Sequence, residues 1–399
     1  MLQGRRIAVG VSGSIAAYKA AEVVRGLIRA GAEVRVVMTQ AATRFVGAAT
    51  FGALTGYPVH TDLFAEPERV LHVELGRWAE AGVVCGATAS TLARLASGEA
   101  EDPVSATYLM CRCPVVVAPA MHTEMWEHAA VRRSVERLRE DGVRIVIPEV
   151  GDLASGDFGV GRLAAPDAIV EEVRAALTHQ DLTGVRVLVT AGPTREALDP
   201  VRYISNRSTG RMGFALAQEA RRRGADVVVV SGPVSEPPPA GVEVVGVSTA
   251  DEMLAECLDR YEDVDVVVLN AAVADWRPAR VAERKIRKSE MGSSIELEPT
   301  PDIASELGRK KGAQTLVLFA AETDDVVARA AEKLRQKHAD LVVANTVGRE
   351  GTGFESETNE AAIVSAAGVE ELPRMRKDEL AVLIWDRIVR VRTEPYSVS

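Results

Sequence analysis

The sequence predicts an α/β protein of two Rossmann-like parallel-sheet domains, and three observations carry that expectation. Short, nearly continuous apolar runs alternate with stretches of helical period, the pattern of strands covered on both faces by crossover helices. The pattern begins at RRIAVGVSGS and begins again at GVRVLVTAG, after THQDLTG. The loops that follow the strands hold small, polar and charged residues, and doubly wound sheets bind ligands beyond the carboxyl ends of their strands. The expected boundaries are 1–177 for the first domain, 178–184 for a linker and 185–399 for the second domain.

In the first half RRIAVGVSGS reads as a strand ending in small residues, IAAYKAAEVVRGLIRAG as a helix and AEVRVVMT as a second strand, a βαβ unit. Further strands are expected at AGVVCGAT, PVVVAPAM and VRIVIPE, with helices at 91–98, 129–140 and 166–177. In the second half GVRVLVTAG is a strand, STGRMGFALAQEARRRG a helix and ADVVVVSGP a strand. Strands at 264–270, 315–320 and 340–344 and helices at 250–260 and 325–338 complete the alternation, while SEPPPAG is a Pro-rich surface loop.

With 399 residues, 47% hydrophobic and 26% charged, the chain has ordinary globular chemistry and room for a core in each domain. A net charge of −10 argues against a broad nucleic-acid surface, which needs clustered Lys and Arg to release counterions. No apolar run reaches the roughly 18 residues of a membrane helix, and MLQGRRIAVGVSG enters a strand rather than a secretion signal. The expected location is the cytoplasm, with no membrane partner. Cys85, Cys111, Cys113 and Cys257 are too few and too irregularly spaced for a disulfide framework, so reduced thiols are expected.

Gly13 and Ser14 precede a helix, where backbone N–H groups and the helix dipole favour phosphate; alone, this is an ordinary strand-to-helix turn. PAMHTEMWEH gathers Met121, His122, Glu124, Met125, Trp126 and His128. That His and Glu spacing matches no established ligand geometry and no cysteine pair joins it, so no metal site is expected. Met121, Met125 and Trp126 read as an apolar wall, with His122 facing a pocket as a titratable group. A lone His72 would read as a surface or cap histidine. HVELGRWA, GATASTLARLASG, PAMHTEMW and DLASGDFGVGRL together, however, resemble the flavoprotein cysteine decarboxylases over about residues 5–177. In this order they look like the decarboxylase half of the bifunctional coenzyme A biosynthesis family.

The resemblance implies an FMN-binding domain that assembles as trimers, with flavin at the subunit interface and Gly13, Ser14, Thr39, Thr88 and Ser90 at cofactor positions. It carries the catalytic histidine over to His72. Two other family catalysts are replaced: His122 stands where an asparagine amide holds the substrate carboxylate, and Ser155 stands for the cysteine of a LACG-type motif. Gly86 and Ser90 replace the proline and asparagine of a PATAN stretch, and Pro103 follows Asp102 where aspartate or leucine is usual. A serine hydroxyl cannot supply the thiolate that returns an enethiol to a saturated thiol. The decarboxylase half is therefore expected to be impaired.

In the second half GPTREALDPVRYISNRSTGRMG collects Arg195, Arg202, Arg207 and Arg211 around Ser205, Asn206, Ser208 and Thr209. Such a loop can present guanidinium forks and helix-end N–H groups to phosphate or carboxylate. NAAVADWRP adds Asp275, and ERKIRKSE adds Lys285, Arg287 and Lys288, a basic run that a solvated face would also explain. Taken in order, GPTRE, ISNRSTGRMG, NAAVADWRP, KIRK, TPDI, FAAET and VANTV resemble the phosphopantothenate-cysteine ligases over about residues 183–390.

That resemblance implies a CTP-dependent, Mg2+-assisted ligation. The phosphopantothenate carboxylate attacks the α-phosphate of CTP to give an acyl-cytidylate and pyrophosphate, and the amine of cysteine then displaces CMP. Lys285 matches the lysine that assists cytidylyl transfer, and Asn206 the asparagine needed for amide formation. Arg202 and Ala272 match positions near the acyl substrate; Asp275, Pro301, Asp302, Ile303, Ala304, Phe319, Lys333 and Lys337 match nucleotide positions. Lys333 and Lys337 lie four apart on the expected helix, so both can reach one triphosphate. Arg207, Arg211, Arg287 and Thr346 depart from the family pattern and leave room for an altered acyl substrate. Other readings stay open: flavin chemistry that stops at an enethiol, a paralogue acting on another carboxylate or phosphonate, or a non-catalytic first half kept for assembly or regulation. A homo-oligomer with trimeric flavodomain contacts and dimeric ligase contacts is expected.

Overall fold

RIAVGV forms β1 (Arg6–Val11) and its apolar residues are buried on both faces, as a central parallel strand requires. The computed structural model describes residues 2–65, 68–287, 294–322, 325–346 and 356–393. The chain divides into two units, Met1–His179 and Gln180–Ser399.

In the first unit β1 is followed by α1 (Ala17–Arg29), β2 (Glu33–Met38), α2 (Ala48–Thr55), α3 (Leu71–Trp78), β3 (Ala81–Ala87), α4 (Ala89–Ser97) and α5 (Pro103–Met110). Then come β4 (Val115–Pro119), α6 (Thr123–Glu127), α7 (Ala129–Glu140), β5 (Arg144–Ile145), a hairpin of β6 (Glu149–Asp152) and β7 (Phe158–Arg162), and α8 (Pro166–Leu177). The sheet order β2-β1-β3-β4-β5 reverses direction between β1 and β3, so the crevice beyond those two strands is the expected ligand position. α1 turns Ala17, Ala20, Val23, Val24 and Leu27 inward; each large side chain so buried contributes about 1.5–3 kcal/mol. VRIVIPE keeps only two residues in the sheet, and the chain then leaves for the β6–β7 hairpin.

The second unit runs β8 (Arg186–Ala191), the hairpin β9 (Arg195–Ala197) and β10 (Tyr203–Ser205), α9 (Arg211–Arg222), β11 (Asp226–Ser231), β12 (Glu243–Gly246), α10 (Ala250–Arg260) and β13 (Val266–Leu269). It continues with the paired β14 (Trp276–Pro278) and β15 (Leu297–Pro299), α11 (Ile303–Lys310), β16 (Thr315–Glu322), α12 (Val326–Gln336), β17 (Leu341–Thr346), β18 (Thr358–Ser365), β19 (Gly368–Arg376) and α13 (Lys377–Thr393). The sheet order is β12-β11-β8-β13-β16-β17-β18-β19, parallel through β17 and antiparallel at β18 and β19. Its direction changes between β8 and β13.

Two features differ from the sequence expectation. The proposed linker 178–184 packs into the second unit from Gln180 onward: Leu182 is buried, its N–H donates to Arg223 O (3.0 Å), and Asp181 pairs with Arg223. The alternation read from the sequence ends at 344, whereas β18, β19 and α13 follow, and α13 lies against α9 with Trp385 fully buried.

Candidate functional site

In the first unit the turn after β1 places Ser12, Gly13 and Ser14 beside the end of β3. Ser12 N donates to Cys85 O (3.1 Å), and the Ser12 hydroxyl meets that of Thr91 at 2.7 Å. Thr88 caps α4, its Oγ1 accepting Thr91 N at 3.2 Å. Thr39 Oγ1 accepts Ala42 N (3.2 Å), and Ser90 Oγ accepts Arg94 Nη2 (3.0 Å). Arg94 is itself held by Asp102, whose carboxylate caps α5 ahead of Pro103. Ser14 Oγ and His72 Nδ1 are buried without a hydrogen-bond partner. Orphaned buried polar atoms are costly unless a ligand satisfies them, so the turn holding Ser14, beside Gly86 at the end of β3, fits a phosphate-bearing polar cofactor. Gly86, with φ +67°, adopts a backbone that proline, fixed near −65°, cannot.

The β6–β7 hairpin closes over PAMHT. Met121 N donates to Gly161 O (3.0 Å) and Thr123 Oγ1 to Val160 O (2.9 Å). At Gly161, φ +153°, a Cβ would lie 2.1 Å from Met121 O, so no side chain fits there. This docking brings His122 to Ser155: His122 Nε2 lies 2.8 Å from Ser155 Oγ and 3.1 Å from Asp157 Oδ2, while Nδ1 pairs with Glu124. Glu124, then Asp157, hold the His122 pKa above its usual value against the opposing effect of burial. His128 takes a different part, accepting Ala130 N (3.2 Å) to cap α7. The SxD spacing of Ser155 and Asp157 was the signal available in sequence for Asp157; its contact with His122 depends on the hairpin.

In the second unit a cavity of about 770 Å³ opens at the point where the sheet reverses. Asn206, Ala272, Asp275, the Pro301–Ala304 stretch, Phe319, Lys333 and Lys337 all line it. Asn206 Nδ2 donates to Val273 O (2.9 Å) and Ala272 O (3.2 Å). Thr190 Oγ1, at the end of β8, accepts the N–H groups of Asn270 and Ala271, each at 3.1 Å, fixing the loop that carries Ala272. Asp302 caps α11 through Ser305 N (2.9 Å) and pairs with Lys337, which overcomes the upward push of burial and leaves its pKa lowered.

Arg202 and Lys285 are absent from the cavity lining. Arg202 pairs with Asp199, and Lys285 is exposed on the segment after β14. Lys288, Thr323 and Val347 lie outside the described residues. Sequence reasoning singled out VANTV without naming its Asn345 as a site residue and passed over Asn359 and Lys377; all three also line the cavity. Asn345 Oδ1 is buried without a partner, and burial first, then Arg211, push the Lys377 amine down to about 8. These three belong to strands and a helix whose return to the site depends on topology.

Residues 1–178 match the Flavoprotein family and 182–391 the DNA/pantothenate metabolism flavoprotein C-terminal domain. The coenzyme A biosynthesis bifunctional protein CoaBC of Bacillus subtilis is 44% identical over 395 residues, covering 97% of each chain. The chain belongs to the bifunctional coenzyme A biosynthesis protein family. CoaBC of Escherichia coli is 43% identical over 395 residues, again covering 97% of each chain. A solved C-terminal domain of CoaBC is 41% identical, covering 54% of this chain and 99% of that domain with a TM-score of 0.47. Membership of the bifunctional family accounts for two units, each built on its own mainly parallel sheet. No helix among the described residues is long and apolar enough to cross a membrane.

Proposed function

We propose that the second unit joins phosphopantothenate to cysteine through an acyl-cytidylate made with CTP, and that the first unit is an FMN decarboxylase-type domain impaired at its last step. One observation carries the ligase reading: a single cavity gathers Asn206, Ala272, Asp275, Pro301–Ala304, Phe319, Lys333 and Lys337 from five separate stretches of sequence. A carboxylate is inert to amines, and its cytidylate is activated by a good leaving group. Lys333 offers positive charge to the phosphates and Asp275 faces the same cavity, while Lys337 and Asp302 are paired with each other at its wall. Asn206, held by the 272–273 carbonyls, orients the acyl centre for the incoming amine.

In the first unit Ser12, Gly13, Ser14 and Thr88 would hold FMN beyond β1 and β3, and His72, whose buried Nδ1 has no protein partner, would serve as the family's catalytic histidine. FMN bound in this crevice supplies the two-electron oxidant for the thiol end of the ligase product. His122 stands at the position of the carboxylate-holding amide, where Glu124, Ser155 and Asp157 engage its two ring nitrogens. Ser155 has no thiol to give, so saturation of the enethiol is the impaired step. The substrates are phosphopantothenate, cysteine and CTP, and the protein works as a cytoplasmic homo-oligomer.

The test is product mass after incubating the full chain with phosphopantothenate, cysteine, CTP, Mg2+ and FMN. An amide, alone or with its decarboxylated enethiol, is expected. A saturated decarboxylated thiol would overturn the impairment, and absence of both CMP and amide would overturn the ligase reading.

A further inference from the structure

Asp199 has a fully inaccessible side chain and lies outside the cavity. Its Oδ1 accepts Val201 N (2.9 Å) and Arg202 N (2.8 Å); its Oδ2 accepts Arg202 Nε (3.0 Å) and Nη2, and Ile286 N (3.2 Å). The Arg202 guanidinium, helped by these backbone N–H groups, holds the Asp199 carboxyl well below the usual carboxylate range despite its burial. Arg202 Nη2 also donates to Ile286 O (2.9 Å). Both backbone polar atoms of Ile286 are thus held by one ion pair more than eighty residues earlier in the chain. A second tie lies alongside, Ala282 N donating to Leu198 O at 3.0 Å.

A buried ion pair is weak evidence for stability, because desolvation offsets its Coulomb energy. What this pair supplies is direction. Ile286 sits between Lys285 and Arg287, and the turn holding Asp199 and Arg202 feeds β10, which leads to Asn206 in the cavity wall. One turn is therefore rigidly joined to the segments that carry both Lys285 and Asn206.

We infer that Asp199 and Arg202 form a positioning pair that fixes the Lys285 segment through the backbone of Ile286, an inference that rests on the ligase reading of the second unit. Arg202 then acts through Lys285 rather than on the acyl substrate. Loss of the pair leaves the cavity and its nucleotide-facing residues in place and displaces the lysine.

The experiment is a double-mutant cycle on the full chain, following steady-state pyrophosphate release with CTP, phosphopantothenate, cysteine and Mg2+. Asp199→Asn keeps the shape and removes the charge; its kcat is expected to fall about 10- to 100-fold, the scale of a misplacement near 1 Å, with KM for CTP within about threefold. In a Lys285→Met background the same change is expected to cause no further fall. Additive losses, or a higher KM for phosphopantothenate at unchanged kcat, would overturn the inference. Should Asp199→Asn fail to fold, Arg202→Gln enters the same cycle with the same expectation. Independently of turnover, acetylation of Lys285 by an N-hydroxysuccinimide ester, referenced to exposed Lys310, is expected to change in either variant; an unchanged ratio would overturn the pairing. A wild-type chain that releases no pyrophosphate defeats the ligase reading, while the acetylation ratio still judges the positioning pair.

Discussion

His122 shows how the role of one residue is set by its neighbours. Alone it would titrate near the ordinary histidine value of about 6.5, but Glu124 on Nδ1 and Asp157 on Nε2 both favour its charged form. Because the folded pKa is raised, the stabilisation it contributes is complete below the unfolded value and is lost as pH rises through the folded one. Glu124→Gln is expected to lower the His122 pKa towards the ordinary value, measured by NMR titration of the imidazole Cε1 proton. An unchanged midpoint would mean that Glu124 does not hold the ring. Ser155→Cys tests the same cluster chemically: the mass of the decarboxylated product is expected to rise by two hydrogens if the rest of the crevice is competent, and an unchanged mass would assign the block to another residue, His122 first.

At the scale of elements, the C-terminal helix α13 is the part whose packing matters most and whose sequence announced it least. β19 ends at Arg376 and α13 begins at Lys377, with no turn residue between them to mark the change. The helix is fixed by Leu380, Ala381, Ile384, Trp385 and Ile388 on its buried face. The Trp385 indole N–H donates to Leu216 O at 2.8 Å, tying α13 to α9, whose amino end lines the cavity. Trp385→Ala is expected to cost about 3–5 kcal/mol, read as an earlier urea midpoint in the unfolding of the second unit. A loss well below 1 kcal/mol would show that α13 is not integral to that core. The hairpin of β6 and β7 is the equivalent device in the first unit, since its docking on PAMHT carries Ser155 to His122.

For the whole molecule, the division at His179 and Gln180 separates two sheets with their own cores. Unfolding of the full chain is therefore expected to depart from a single two-state transition. A fragment beginning at Gln180 keeps Asp181, Leu182 and their contacts with Arg223. It is expected to retain phosphopantothenate-dependent pyrophosphate release from CTP, whereas a fragment beginning at Val185 loses those contacts and is expected to unfold at lower temperature. Equal melting temperatures for the two fragments would show that residues 180–184 are the linker that their position between the two strand patterns suggests.

The sequence by itself determined the fold class and named many of the residues that line the cavity of the second unit. Apolar strands and helices announce themselves by local period, and motifs such as TPDI lie on short continuous loops at strand ends, where topology must bring them together. The helices 129–140, 166–177 and 250–260 were legible to the residue because caps or proline mark their starts. Only the tertiary structure decided the pairing of His122 with Ser155, the presence of Lys377 and Asn359 in the cavity, and the hold of Asp199 on Ile286. Those contacts join residues tens to more than a hundred positions apart, and a local pattern carries no information about which distant backbone a buried carboxylate will meet.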